Sequence, residues 1–370
     1  MTCDPTILAV PGVRGLVPYQ PGKPIEELER ELGVTGAIKL ASNENPYGAG
    51  GRAHTAATAA LTHMARYPDG GAFALKRALS TALSVTEAQI TLGNGSNDVL
   101  ELIARTFLSP GEVALCDQYA FAAYPISVRG LGAQMIMVPG QAYAHDLDAM
   151  KSALSPSVRM VFLANPNNPT GTWFSKDALL RFLDAVPTST IVVLDEAYFE
   201  YVTEREYPDG RLLLARYPQL IVVRTFSKVH GLAGLRIGYA LSAAPLADLM
   251  NRLRQPFNVN SIAQAAAIAA LGDLAYIEEM VALNTVNRQV LADGLKGLGF
   301  GMLPSLGNFL CVEVGDAARI YQALLRKGVI VRPLAPYGMP AHLRVTVGRP
   351  EENRRFIQAL ADVVGRALEA

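Results

Sequence analysis

Three short apolar runs constrain this chain more than any other feature. Ser157 to Ala164, Thr190 to Leu194 and Leu220 to Arg224 are rich in Val, Ile and Leu, and each is closed by turn-forming or polar residues. Runs of this length without polar alternation read as strands buried on both faces, which requires a largely parallel sheet covered by helices. Asn168 follows the first run, Asp195 ends the second and Lys228 follows the third. From 168 to 195 is 27 positions and from 195 to 228 is 33, each about one strand-plus-connection unit. Ligands of open α/β sheets bind outside the carboxyl ends of the strands. An amide, a carboxylate and an amine are therefore expected to meet at one edge.

The surrounding residues sharpen that expectation. Lys228 sits in Thr225-Phe226-Ser227-Lys228, with Arg236 eight residues later in Gly231-Leu232-Ala233-Gly234-Leu235-Arg236-Ile237-Gly238. Asp195 lies in Val193-Leu194-Asp195-Glu196-Ala197-Tyr198 and Asn168 in Asn165-Pro166-Asn167-Asn168-Pro169-Thr170-Gly171. Singly, such residues mean little: a lysine after a serine is ordinarily a solvated amine, and a strand-end aspartate a helix cap. Together they supply an amine to condense with an aldehyde, a carboxylate for a ring nitrogen, and an amide and a phenol for a ring oxygen. They also supply cations and hydroxyls for a phosphate. These are the parts that hold and tune pyridoxal phosphate.

On these residues the chain resembles the class II, fold-type I pyridoxal-phosphate aminotransferases, and within them the histidinol-phosphate aminotransferase family. The likeness covers nearly the whole chain. It begins at Pro18-Tyr19-Gln20-Pro21-Gly22-Lys23-Pro24 and Leu40-Ala41-Ser42-Asn43-Glu44-Asn45-Pro46-Tyr47-Gly48, and continues through Arg66-Tyr67-Pro68-Asp69-Gly70 and Leu92-Gly93-Asn94-Gly95-Ser96-Asn97-Asp98. It ends with Gly328-Val329-Ile330-Val331-Arg332-Pro333 and Leu343-Arg344-Val345-Thr346-Val347-Gly348.

The resemblance implies roles residue by residue. Lys228 is expected to hold the cofactor covalently and, once freed, to move the proton at the substrate α-carbon. Asp195 is expected to pair with the pyridine nitrogen, and Asn168 and Tyr198 with the ring 3′ oxygen. The Gly-rich loop precedes the apolar helical run Val99 to Ile103, so Gly95, Ser96 and Asn97 are expected to cradle phosphate at a helix N-terminus. Thr225 and Ser227 face it with hydroxyls and Arg236 with a charged fork. Phe121 is the expected stacking ring; the family often carries Tyr there, so a hydroxyl is missing while the π-face is kept. Tyr119 is the second candidate. Arg344 is expected to take the donor's carboxylate, or the phosphate of histidinol phosphate, which has no α-carboxylate. Arg332 is a second anion contact, Tyr19 covers the substrate side chain, and Asn45 is a substrate-side contact. Tyr67 reaches the neighbouring subunit's phosphate, which implies a homodimer.

The rest of the sequence bounds these readings. At 370 residues the chain is long enough for two domains sharing a site. The expected fold is α/β: an N-terminal arm over 1–38, with a short helix over Ile25 to Leu32 stopped by Gly33, a large domain with a mostly parallel sheet over 39–252, and a smaller α+β domain over 253–370. Lys plus Arg and Asp plus Glu both total 33, which argues against nucleic-acid or anionic-membrane binding. There is no apolar run long enough for a transmembrane helix and no signal-like N-terminus. Cys3, Cys116 and Cys311 are odd in number and far apart, and the histidines show no metal-binding spacing, so no metal site and a reducing cytoplasm are expected.

The expected activity is ping-pong amino transfer between L-histidinol phosphate and 2-oxoglutarate, in histidine biosynthesis. The nearest alternative is transfer from phenylalanine or tyrosine on the same scaffold, and after it a decarboxylase using the same cofactor residues. Against a cofactor-sensing regulator, no basic or helix-turn-helix-like segment precedes residue 40; against a dehydrogenase, no GxGxxG follows a strand.

Overall fold

The computed structural model describes residues 5–365, so Cys3 and the outer ends of the first and last segments lie outside it. Among the described residues thirteen strands form three sheets. In chain order they are β1 (Ile38–Lys39), β2 (Ile90–Gly93), β3 (Val113–Asp117), β4 (Gln134–Val138), β5 (Val158–Ala164), β6 (Ile191–Asp195) and β7 (Leu220–Thr225). There follow β8 (Gly238–Ser242), β9 (Gly301–Met302), β10 (Phe309–Glu313), β11 (Val329–Ile330), β12 (Arg332–Pro333) and β13 (His342–Thr346).

The seven-stranded sheet has the order β2-β8-β7-β6-β5-β3-β4. The three apolar runs are its central strands β5, β6 and β7, and they pair in parallel. Their side chains divide between two cores. Val161 and Leu163, Val192 and Leu194, and Leu220 and Val222 enter one, while Met160 and Phe162, Val193, and Ile221 and Val223 enter the other. Alternate residues meeting helices on opposite faces is why these strands carry no polar alternation.

One strand breaks the parallel pattern. β8 is antiparallel to both β7 and β2, and its first residue, Gly238, pairs with Thr225 on one side and Gly93 on the other. The chain therefore enters β8 at the edge where β7 and β2 finish. Arg236, two residues ahead, is left at that edge beside the ends of both strands.

The smaller unit is an antiparallel sheet of order β12-β13-β10-β9. Its core joins Leu310, Val312, Leu343 and Val345 to Leu291, Leu324 and Phe356 from the helices Leu274–Gly297, Ala317–Arg326 and Pro350–Val364. The N-terminal segment is tied to this unit. The helix Ile25–Leu32 ends at Gly33 in the left-handed conformation, Leu28 packs with Leu325 and Ile330, and β1 pairs in parallel with β11.

Past the change of sequence pattern at Arg254 to Val259, the chain first packs with the larger core. The helix Ser261–Leu271 turns Ala263, Ala266, Ala267 and Ala270 into the larger core, against the helix Gly51–Ala60. Its alanines let two helices approach closely, a packing reason that an Ala-rich pattern alone does not assign to either unit. Leu291 and Leu295, in the second half of the long helix Leu274–Gly297, are its buried contributions to the smaller core.

Candidate active site

A cavity of about 360 Å³ opens where the carboxyl ends of β5, β6 and β7 meet the smaller unit. Thirteen of the residues singled out from sequence line it: Tyr19, Ser96, Asn97, Phe121, Asn168, Asp195, Tyr198, Thr225, Ser227, Lys228, Arg236, Arg332 and Arg344. Lys228 stands on the turn after β7. Its Nζ donates to the Ser42 carbonyl at 3.2 Å and lies 5.5 Å from the centre of the Tyr198 ring. Burial pushes its pKa down to about 8, and the Arg344 and Arg236 cations push the same way.

Asp195 ends β6 and is almost wholly buried. Its Oδ2 accepts from the Tyr124 hydroxyl at 2.7 Å and its Oδ1 from the Ala197 N–H at 3.2 Å. Burial nevertheless raises its pKa to about 6, with those two bonds and the Lys228 charge pulling the other way. Tyr124 is itself clamped, stacked on Phe162 with ring centres 4.8 Å apart and edge-on to Phe121 at 5.9 Å. The Tyr198 phenol, pushed up to about 12 by burial, accepts from Asn43 Nδ2 at 2.9 Å.

The far end of the cavity is built for an anion. The helix Ser96–Phe107 starts there, presenting the free N–H groups of its first turn. Thr225 Oγ1 donates to Ser227 Oγ at 3.0 Å and accepts from the Ser227 N–H at 3.1 Å. Arg236 holds φ +57 and donates from Nη1 to the Ala233 carbonyl at 3.0 Å. Gly95 does not line the cavity but makes its shape. At φ +86 it lies so close to the guanidinium that a Cβ would fall 2.3 Å from Arg236 Nη2.

The opposite wall belongs to the smaller unit. Arg344, on β13, donates from Nη1 to Asn168 Oδ1 at 2.5 Å and from Nη2 to the Ala41 carbonyl, while its buried Nε has no partner in the structure. Arg332, on β12, stands 5.4 Å over the Tyr19 ring, and Tyr19 meets Phe121 edge-on at 6.1 Å.

Three sequence-selected residues fall elsewhere. Asn45 is turned away from the cavity: its Nδ2 donates to the Val229 carbonyl at 2.8 Å and to the Tyr276 hydroxyl at 3.2 Å, and its Oδ1 caps the Tyr47 N–H. Both ends of the Asn45 amide are thus engaged within the fold. Asn43, two residues earlier in the same motif, faces the cavity instead. Tyr67 is 83% exposed and stacks on Phe257 at 4.7 Å, outside the cavity of its own chain. Tyr119 packs against Tyr143 rather than the cavity. Sequence reading passed over Tyr124, although it lies in the same Tyr119 to Pro125 segment as Phe121; nothing in that segment marks which ring reaches Asp195. His230, close to Lys228 in sequence, is buried, which lowers its pKa to about 4, and its Nε2 lies 3.8 Å from Glu200. Among the described residues no helix is long and apolar enough to cross a membrane, and no group of three His, Cys, Asp or Glu side chains is placed to hold a metal ion. Cys116 and Cys311 are buried and unpaired.

Residues 35–360 match the family described as aminotransferase class I and II. A histidinol-phosphate aminotransferase of Pseudomonas aeruginosa is 56% identical over 96% of this chain and 98% of its own length. One from Pseudomonas fluorescens is 55% identical over 97% and 98%. A crystal structure of histidinol-phosphate aminotransferase from Sinorhizobium meliloti in complex with pyridoxal-5'-phosphate superposes with a TM-score of 0.89 at 31% identity, covering 96% of this chain and 97% of that one.

Proposed function

This chain belongs to the class I and II aminotransferase family, and from that premise we propose that it moves an amino group between L-histidinol phosphate and 2-oxoglutarate, the histidine-biosynthetic reaction. Its cofactor is pyridoxal phosphate, and the residues present fit that group. Asp195 is a buried carboxylate whose direct partners are a phenol and an N–H, a setting that favours a protonated ring nitrogen beside it. Thr225, Ser227, Arg236 and the start of the helix Ser96–Phe107 match a phosphate. The observation that carries the substrate reading is the pair of cations from the smaller unit, Arg344 and Arg332, which line the same cavity as Lys228. A planar cation so placed favours an anionic substrate group.

When bound, pyridoxal phosphate supplies the electron sink that makes loss of the α-proton feasible. The chain's own residues do the rest. Lys228, whose pKa burial draws down to about 8, is the residue that would hold the cofactor aldehyde, and its amine would take and return the proton at the substrate α-carbon. Asp195 would keep the ring nitrogen protonated, Tyr198 and Asn168 would hydrogen-bond the ring oxygen, and Phe121 would offer its π-face to the ring. Arg344 and Arg332 hold the substrate anion, with Tyr19 over its side chain. Exposed Tyr67 reaches a second subunit's phosphate in a homodimer, and the enzyme works in the cytoplasm.

Adding single donors to the cofactor-loaded protein and following the bleaching of its visible band tests this. Faster bleaching by histidinol phosphate and glutamate than by phenylalanine is expected. Faster bleaching by phenylalanine would assign an aromatic aminotransferase instead, and release of carbon dioxide a decarboxylase.

A further inference from the structure

Asn43 is 1% exposed and holds φ +55, a backbone conformation that a non-glycine residue keeps only when its surroundings hold it there. Three hydrogen bonds do so. The Asn43 N–H donates to Thr346 Oγ1 at 2.9 Å, the Thr346 hydroxyl donates back to Asn43 Oδ1 at 3.1 Å, and Asn308 Nδ2 donates to the Asn43 carbonyl at 3.0 Å. The exchange with Thr346 decides which way the Asn43 amide points. With Oδ1 occupied as an acceptor, Nδ2 is the end that meets Tyr198, and it donates to Tyr198 Oη at 2.9 Å. A phenol oxygen that accepts on one side has its own proton free for the other, and accepting strengthens its donation. Tyr198 and Asn43 both line the cavity.

We propose that Asn43 is a positioning residue that fixes the direction of the Tyr198 hydroxyl, so that the phenol donates into the cavity to the ring oxygen of the bound cofactor. Thr346 orients Asn43 in turn. It lies two residues beyond Arg344 on β13, so the strand that carries the anion-binding arginine also sets the proton of Tyr198. This inference rests on the reading of the cavity as a pyridoxal-phosphate site.

The test is a pH titration of the visible absorbance of the cofactor-loaded protein. Donation by Tyr198 stabilises negative charge on the ring oxygen, so weakening it raises the pH midpoint. Asn43→Gly keeps the left-handed backbone without strain and removes only the side chain. It is expected to raise the midpoint by roughly half a unit, the worth of part of a hydrogen bond. Thr346→Val, which leaves the Asn43 side chain in place but unfixes it, is expected to raise it by less, and gives an answer where the glycine variant does not fold. In a Tyr198→Phe background neither change is expected to move the midpoint further. Unmoved midpoints in both variants, or equal shifts with Phe at position 198, overturn the assignment. A wild-type protein that takes up pyridoxal phosphate with no visible band refutes the cofactor site itself, whereas a titrating wild type with silent variants refutes only the role of Asn43.

Discussion

Replacing Asp195 with Asn separates what the carboxylate does for the cofactor from what it costs the fold. The group is 7% exposed, with the Tyr124 hydroxyl at 2.7 Å and the Ala197 N–H at 3.2 Å as its donors. Burial lifts its pKa to about 6, from roughly 3.9 in an unfolded chain. A carboxyl whose pKa rises on folding binds its proton more tightly in the folded state. Stability is therefore full below the unfolded value, falls as pH climbs from about 4 to about 6, and stays lowered above. Two pKa units correspond to roughly 3 kcal/mol. The amide keeps the shape, still accepts from Ala197, and donates to a Tyr124 hydroxyl that turns to accept, so little hydrogen bonding is lost. The cofactor-free Asp195→Asn protein is thus expected to be more stable than its parent by roughly 1–3 kcal/mol near pH 8, and equal to it near pH 4. With cofactor present the order reverses, because only the carboxylate offers the ring nitrogen a negative partner, and turnover collapses. Urea unfolding of both proteins at the two pH values, with and without pyridoxal phosphate, measures each quantity. A cofactor-free variant less stable than its parent near pH 8 would refute the reasoning, since the carboxylate would then already be well paired.

Gly95→Ala places a methyl 2.3 Å from Arg236 Nη2 on a residue at φ +86. Displacing a charged donor from the anion end is expected to weaken cofactor binding roughly 10- to 100-fold, as read by equilibrium titration, while Arg236→Lys weakens it without the backbone strain. Tyr67→Phe is expected to lower cofactor affinity although Tyr67 lies outside its own chain's cavity. Mixing it with Lys228→Ala subunits should restore one intact site per hybrid dimer if Tyr67 acts across the interface, and sedimentation checks that such dimers form.

The sequence by itself carried the central sheet and the chemistry at its edge. β5, β6 and β7 are legible because burial on both faces removes polar alternation, and Asn168, Asp195 and Lys228 are legible because chain order places them at three successive strand ends. These are local properties: a run of residues, a turn, a spacing. What only the tertiary structure decided are choices between neighbours that look alike in sequence. Asn43 rather than Asn45 faces the cavity because Thr346 and Asn308, some three hundred residues away, hold one of them in a left-handed turn while Val229 and Tyr276 take the other. Tyr124 rather than Tyr119 meets Asp195, its ring held by stacking on Phe162 of β5. The helix Ser261–Leu271 joins the larger core because a second helix, Gly51–Ala60, offers a surface its alanines fit. Each depends on which distant group occupies a hydrogen bond or a void first, and no pattern along the chain records that.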